Sequence, residues 1–131
     1  MDPISWLRHP TRHRILLAAE SRFSATGFDA ATIEQVLAAA GVSKSHLYYH
    51  FPSKDALLAG LVRLRAADLA GFAGDWPAAA LTYRDFLRIL VVERVLRPAL
   101  VTEAWRSVAA LVPAPLDVDA EVMRAALAPA S

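Results

Sequence analysis

The chain has 131 residues, of which 56% are hydrophobic and 21% are charged, with a net charge of +1 and no cysteine. This length allows one compact domain, or one small module with a partial second. The lack of cysteine excludes a disulfide scaffold, a thiol nucleophile and any metal site with cysteine ligands. We find no segment typical of a signal peptide or a membrane span, and we expect a soluble cytoplasmic protein. The abundance of Ala and Leu favours an all-α fold.

The two halves of the chain differ in charge. Residues 1–65 contain eight Lys and Arg against five Asp and Glu, together with all four histidines, whereas residues 66–131 contain six against eight. The near-neutral total is not a nucleic-acid signature by itself. The distribution nevertheless places positive charge in the N-terminal half.

Two helices are predicted first. Residues 11–26 carry one apolar stripe, with Thr11 as the expected N-cap. A short helix follows over about residues 33–40. Thr32 is its predicted N-cap, and Gln35 three residues later completes a capping box.

A third predicted helix starts after only two intervening residues, Gly41 and Val42, with Ser43 as its N-cap, and it reaches about residue 50. Two short helices joined by a glycine-containing turn are typical of a helix-turn-helix. A proline-containing step then ends the third helix. Ser53 is the expected N-cap of a fourth helix over about residues 54–72.

In the second half, the step Trp76-Pro77 is predicted to interrupt the chain, and a helix is predicted over residues 82–97. An apolar stripe from Leu100 to Leu111 and a short helix over 119–127 follow. The 82–97 helix is apolar nearly all round, which favours burial on more than one side. A homodimer would provide that burial; alternatively, the apolar surface is a core left open by truncation. Four aromatic residues either belong to the core or line a ligand cavity: Trp76, Tyr83, Phe86 and Trp105.

The outer face of the third helix is unusual. With Leu47 directed to the core, 100° per residue places two tyrosines, a serine and a histidine outward, flanked by a lysine and a second histidine. These residues are Lys44, Ser45, His46, Tyr48, Tyr49 and His50. Hydroxyls, aromatic edges and imidazole suit base edges and thymine methyls in the major groove. The N-termini of the helices that begin at Thr32 and at Lys54 are suited to binding phosphates.

Alternatives remain for several of these residues. Tyr48 and Tyr49 are either packing residues or DNA contacts. The arm over residues 8–14 is either a frayed terminus or a segment that contacts DNA, at neighbouring phosphates or in a minor groove. The pairs His46/His50 and His9/His13 have i, i+4 spacing but lack a third ligand, so we predict no metal site.

Several sequence motifs occur together in a fixed order. They are Ile15-Leu16-x-Ala18-Ala19-x-x-x-Phe23-x-x-x-Gly27-Phe28, Thr32-Ile33, Ala40-Gly41-Val42-Ser43 and Leu47-Tyr48-x-His50-Phe51-x-Ser53-Lys54-x-x-Leu57. Over residues 11–65 this pattern resembles the DNA-binding domain of the tetracycline-repressor (TetR) family. The resemblance implies a three-helix domain with its third helix in the major groove. It also implies that the fourth helix leads to an all-α region, residues 66–131, for effector binding and dimerisation.

The resemblance also implies roles for single residues. Positions that contact phosphates in the family correspond to Thr32, Tyr48, His50 and Lys54. Variable positions that read bases or adjoining phosphates correspond to Lys44, Ser45, His46 and Tyr49. Family members are typically longer, so we expect an abbreviated C-terminal region.

These observations lead to one functional prediction and one alternative. The chain is predicted to be an effector-responsive repressor that binds double-stranded DNA at a palindromic operator as a homodimer, with no cofactor. The effector is not identified by the sequence. The alternative is a helical interaction protein that binds a full-length relative and not DNA. We predict no enzyme, because no nucleophile, base and acid occur at a suitable spacing and no Gly-rich phosphate loop is present.

Overall fold

The computed structural model describes residues 3–72 and 74–129, and every regular element within them is an α-helix. The predicted all-α fold is therefore confirmed. The chain divides into two compact units, with the boundary between Leu64 and Arg65.

The helices of the first unit begin with a short one that the sequence did not predict. They are α1 (Pro3–Leu7), α2 (Pro10–Thr26), α3 (Ile33–Ala40), α4 (Lys44–His50) and α5 (Lys54–Ala70), the last of which continues past the boundary. The second unit contains four further helices. They are α6 (Trp76–Thr82), α7 (Arg84–Leu96), α8 (Pro98–Leu111) and α9 (Val118–Leu127).

The core of the first unit is built from one apolar stripe of each helix. Phe23 of α2 packs edge-on against Phe28, with ring centroids 4.9 Å apart. The stripes converge because α2 packs on α3 and α3 packs on α4. The largest side chains that they bury are Ile15, Leu16, Phe23, Leu47, Leu57, Leu58, Leu61 and Leu64.

The start of α2 differs from the prediction. The helix begins at Pro10 with His9 at its N-cap, and not with Thr11 as the cap. The N–H of the first residue of a helix has no partner within the helix, so a proline there removes no hydrogen bond. The fixed φ of proline also suits the helix. Residues 10–14 of the predicted arm form the start of α2, and α1 with the turn after it precedes them, so the arm is mostly helical and not a frayed terminus.

The predicted caps of α3, α4 and α5 are confirmed. The Gln35 N–H donates to Thr32 Oγ1 at 3.2 Å and the Thr32 N–H donates to Gln35 Oε1 at 3.1 Å, which completes the capping box. Ser43 Oγ accepts from the N–H of His46 at 3.2 Å, and Ser53 Oγ accepts from the N–H of Ala56 at 3.0 Å. These hydrogen bonds fix where the helices start.

The second unit corrects three predicted boundaries. The fourth predicted helix ends at Ala70 and not at residue 72, and the predicted 82–97 helix is α7, which begins at Arg84 and ends at Leu96. The step Trp76-Pro77, predicted to interrupt the chain, starts α6, with Asp75 Oδ1 accepting from the Ala78 N–H at 3.2 Å. Proline is compatible with the first turn of a helix, so it marks a start here.

The core of the second unit mixes apolar packing with two buried carboxylates. α7 packs against both α8 and α9. The buried Trp76 donates its indole N–H to Glu121 Oε1 at 3.1 Å, and Arg97 pairs with the buried Glu93 at 2.6 Å. Buried carboxylates require such partners, because an unpaired buried charge is costly. Of the four aromatic residues, Trp76 and Phe86 are core residues, whereas Tyr83 and Trp105 are half-buried.

Two neighbouring leucines of α2 provide a matched test of this core. Leu16 is completely buried, whereas Leu17 is 39% exposed. We expect Leu16→Ala to lower the free energy of unfolding by about 2–5 kcal/mol, because it leaves a cavity. Leu17→Ala should lower it by less than about 1 kcal/mol. Urea denaturation followed by circular dichroism measures both, and equal losses would contradict the assigned core face.

Candidate nucleic-acid interface

The orientation of α4 is set by a single buried side chain. Leu47 is completely buried, and it is the only residue of α4 that is. Tyr49, two positions later, is 81% exposed, and Tyr48 is 37% exposed. Lys44, Ser45 and His46 are exposed as well, so the predicted outer face of α4 does face away from the core.

Both ends of α4 are held to the rest of the unit. At its C-terminus Phe51 is buried, and its ring meets the Trp6 ring edge-on with centroids 5.8 Å apart. At its N-terminus Ser43 is exposed, and its hydroxyl accepts the capping hydrogen bond. The exposed face of α4 is therefore carried on a fixed support.

Three aromatic rings surround His50 at the end of α4. Its ring centroid lies 5.1 Å from that of His46, 5.0 Å from that of Tyr49 and 6.5 Å from that of His9. His9 precedes α2, so this cluster joins two parts of the chain that are far apart in sequence. The sequence predicted the His46/His50 pair but not the approach of His9.

Burial lowers the pKa of His50 below its usual 6.5, and the positive charge of Arg12 lowers it further, with smaller contributions from His46 and His9. Its ring is therefore predominantly neutral at pH 7. A neutral imidazole both donates and accepts hydrogen bonds. His50 at neutral pH thus offers a polar ring and not a full positive charge.

The two lysines of the interface have contacts within the unit. Lys44 lies 3.7 Å from Glu34 of α3, and both side chains are more than half exposed. Lys54 donates from Nζ to the carbonyl of Asp29 at 3.2 Å and sits 4.5 Å from the centre of the Phe28 ring. Because Asp29 precedes Thr32 by three residues, the Lys54 charge lies close to the segment that leads into α3.

The segment before α2 supplies contacts that the sequence did not predict. The Arg12 guanidinium lies 4.0 Å from the centre of the Trp6 ring and donates to the Trp6 carbonyl at 3.4 Å. Such a cation–π contact stabilises by about 0.5–1 kcal/mol at an exposed site. The only sequence signal for it was the apolar pair Trp6-Leu7 just ahead of Pro10.

The described parts of the chain contain no group of three or more His, Asp or Glu residues arranged to hold a metal ion. Within the same residues, none of the helices is both long and apolar enough to span a membrane.

The family comparison concerns this same region. Residues 15–61 match the family of bacterial regulatory proteins described as the tetR family. The first unit is a tetR-family helix-turn-helix domain. The resemblance stated from the sequence motifs is thereby confirmed.

Curated relatives match over the same part of the chain. The HTH-type transcriptional regulator RutR of Escherichia coli K12 is 40% identical over 80 residues, which are 57% of this chain and 37% of RutR. The HTH-type transcriptional regulator UidR of the same strain is 39% identical over 62 residues, which are 47% of this chain and 32% of UidR. The matched region thus spans about a third of the length of each relative.

The lowered pKa of His50 predicts a pH dependence for the tetR-family domain. Because its folded-state pKa lies below the unfolded value of 6.5, the unfolded state binds the proton more tightly. The free energy of unfolding therefore falls as the pH drops below 6.5 toward the lower, folded-state pKa, and this contribution is constant above 6.5. The variant His50→Gln should lose less stability than the wild type between pH 7.5 and pH 5.

Urea denaturation at the two pH values measures that difference, and NMR measures the pKa directly. We expect the His50 ring to titrate with a pKa below 6.5. In Arg12→Gln this pKa should rise, because the positive charge of Arg12 is removed and burial is then the main cause of the lowered pKa. A wild-type His50 that titrates at or above 6.5 would contradict the assigned environment.

Proposed function

We propose that this chain is a sequence-specific DNA-binding transcriptional regulator that places α4 in the major groove of double-stranded DNA. The observation that carries the proposal is the outward face of α4, where Tyr49 is 81% exposed beside exposed polar side chains. A fixed helix that holds a large aromatic side chain in solvent presents it to a binding partner without rearrangement. The tetR-family match over residues 15–61 supports the same reading. We assign no catalytic role to these residues.

Base reading is proposed for the centre of the face. Tyr49 offers an aromatic edge and a hydroxyl, and its side chain is far more exposed than that of Tyr48. Hydroxyl, imidazole and ammonium groups suit the donor and acceptor patterns of the major groove. We assign base reading, or contact with adjoining phosphates, to Lys44, Ser45, His46 and Tyr49.

Phosphate binding is proposed for the rim. The Thr32 hydroxyl accepts the capping bond from Gln35, and its own hydrogen remains free to donate. Lys54 uses one of its three donors on Asp29, which leaves two for a phosphate. We assign phosphate contacts to Thr32, Tyr48, His50 and Lys54.

We further propose that the chain acts as a homodimer on a palindromic operator and is an effector-responsive repressor. Paired recognition helices would then lie about 34–36 Å apart, one turn of DNA. Exposed apolar side chains in the second unit support a role in association. They include Leu81, Val92, Val95, Leu96 and Leu127, of which three are more than 70% exposed.

In this proposal residues 66–131 form an abbreviated effector-binding and dimerisation region. An effector releases DNA only if it binds the DNA-incompetent conformation more tightly than the competent one. Half-buried Trp105 lines a cavity of about 240 Å³ with Arg94, Val101 and Arg106, which is a candidate place for a small molecule.

The same exposed apolar side chains also suit a second function. A helical interaction protein that pairs with a longer relative would cover them without binding DNA. Sedimentation of the chain alone separates the two: a dimer at micromolar concentration supports the regulator, and a monomer that binds no DNA supports the interaction protein.

Tyr49→Ala tests the base-reading assignment. We expect the variant to select a different consensus from a random DNA library, because a base contact is worth about 1–3 kcal/mol of discrimination. His46→Ala should also shift the consensus. Tyr49→Phe keeps the ring and separates stacking or methyl contact from the hydroxyl. An unchanged consensus for both alanine variants would remove α4 from base reading.

Lys54→Ala tests the phosphate assignment. We expect weaker binding to all sequences alike and a salt dependence that is shallower by about one ion, because one phosphate contact is lost. Gel-shift titrations at several salt concentrations measure both. Lost packing against Phe28 would lower affinity without changing the salt slope, so an unchanged slope would contradict the phosphate contact. Arg106→Gln removes one positive charge from an exposed position of the second unit, outside the proposed DNA-binding face, and serves as a charge-matched control.

A further inference from the structure

The tetR-family domain contains a cavity of its own, of about 400 Å³, between α1, the end of α4 and α5. Its lining includes Trp6, His50, Phe51, Ala59, Gly60 and Arg63. The volume lies within the range of about 300–1,000 Å³ that is usual for small-molecule sites. The lining is mostly apolar, with three nitrogen-bearing side chains, those of Trp6, His50 and Arg63, which is the usual composition of such sites.

Two aromatic rings shape one corner of the cavity. Trp6 and Phe51 meet edge-on with centroids 5.8 Å apart, and the guanidinium of Arg12 lies over the Trp6 ring at 4.0 Å. The position of the Phe51 ring depends on Gly60, since a Cβ at that residue would lie only 3.0 Å from it. The absence of a side chain at Gly60 thus leaves room for the Phe51 ring, and the two rings offer an apolar surface to a flat molecule.

Two polar groups of the lining have no partner. The exposed guanidinium of Arg63 forms neither an ion pair nor a hydrogen bond with any described residue. The Nδ1 atom of His50 is buried, and no hydrogen bond reaches it from the described part of the chain. A guanidinium binds carboxylates in two parallel hydrogen bonds, and a buried ring nitrogen without a partner is costly. Both groups favour a ligand with a carboxylate.

We propose that this cavity binds a small planar aromatic carboxylate. Its ring packs in the corner made by Trp6 and Phe51, and its carboxylate pairs with Arg63. His50 supplies a hydrogen bond from Nδ1. The site lies in the first unit and is distinct from the effector region proposed for residues 66–131, so it goes beyond the proposed function.

Occupation of the cavity would reach the DNA-binding face through His50. The His50 ring lies 5.1 Å from His46 and 5.0 Å from Tyr49, both assigned to base reading. A ligand that fixes the His50 ring therefore restricts its two neighbours. The proposed site is thus placed to change DNA affinity without a change in the second unit.

The test uses 1-naphthoate as the probe and the full chain without DNA, so that its result does not depend on the proposed function. Isothermal titration calorimetry should show saturable binding of one probe per chain. Arg63→Gln should weaken it at least tenfold, and Ala59→Leu, which fills the cavity, should abolish it. The neutral analogue 1-naphthalenemethanol should bind wild type and Arg63→Gln equally. The control Arg14→Gln, on the exposed side of α2, should bind 1-naphthoate as the wild type does.

NMR provides the second readout, since 1-naphthoate should shift the His50 ring signals and leave those of His13 unchanged. A wild-type chain that is folded by circular dichroism and shows no saturable binding would overturn the proposal. Binding that survives both Arg63→Gln and Ala59→Leu would overturn it as well, because the probe would then sit elsewhere. If Ala59→Leu does not fold, the Arg63→Gln comparison with the neutral analogue decides.

Discussion

The burial of Leu47 is the contact on which the candidate interface depends. A seven-residue helix is too short to be stable alone in water, so α4 exists because Leu47 is completely buried and both helix ends are held. The helical period then dictates the rest. Because Leu47 points inward, the side chain of Tyr49 points outward. The burial of one apolar residue therefore determines which face of α4 is exposed.

The caps complete that control of position. Thr32, Ser43 and Ser53 each accept a backbone hydrogen bond at the start of a helix. A cap of this kind stabilises by about 0.5–2 kcal/mol and also fixes the residue at which the helix begins. The backbone N–H groups at these starts, and the side chains beside them, therefore have defined positions before any ligand arrives. Thr32 has two uses, since its oxygen holds α3 while its hydrogen remains available.

Much of this region was predictable from sequence because the determining interactions are local. The Thr32–Gln35 capping box, the turn at Gly41 and the outward position of Tyr49 all depend on residues within a few positions of one another. Gly41 has φ +69°, a backbone conformation that favours glycine. The residue pattern alone therefore fixed the order and facing of α3 and α4.

The missed features depend on contacts between residues far apart in the chain. The approach of His9 to His50 joins positions separated by α2 and α3. The indole of Trp76 donates to Glu121, 45 residues later. The DNA-contacting roles of single residues depend on a partner molecule, and they stay predictions.

The hydrogen bond from Lys54 to the Asp29 carbonyl has a consequence for the thermodynamics of binding. A lysine side chain that is free in solution loses rotamer entropy, worth up to about 2 kcal/mol, when a ligand immobilises it. Lys54 is already restrained by Asp29 and by the Phe28 ring. Much of that entropy is lost on folding instead, so the Lys54 ammonium group is already positioned when it binds an anion. Arginine at this position would keep the charge but not this arrangement, because a planar guanidinium does not fit the same carbonyl and ring in the same way.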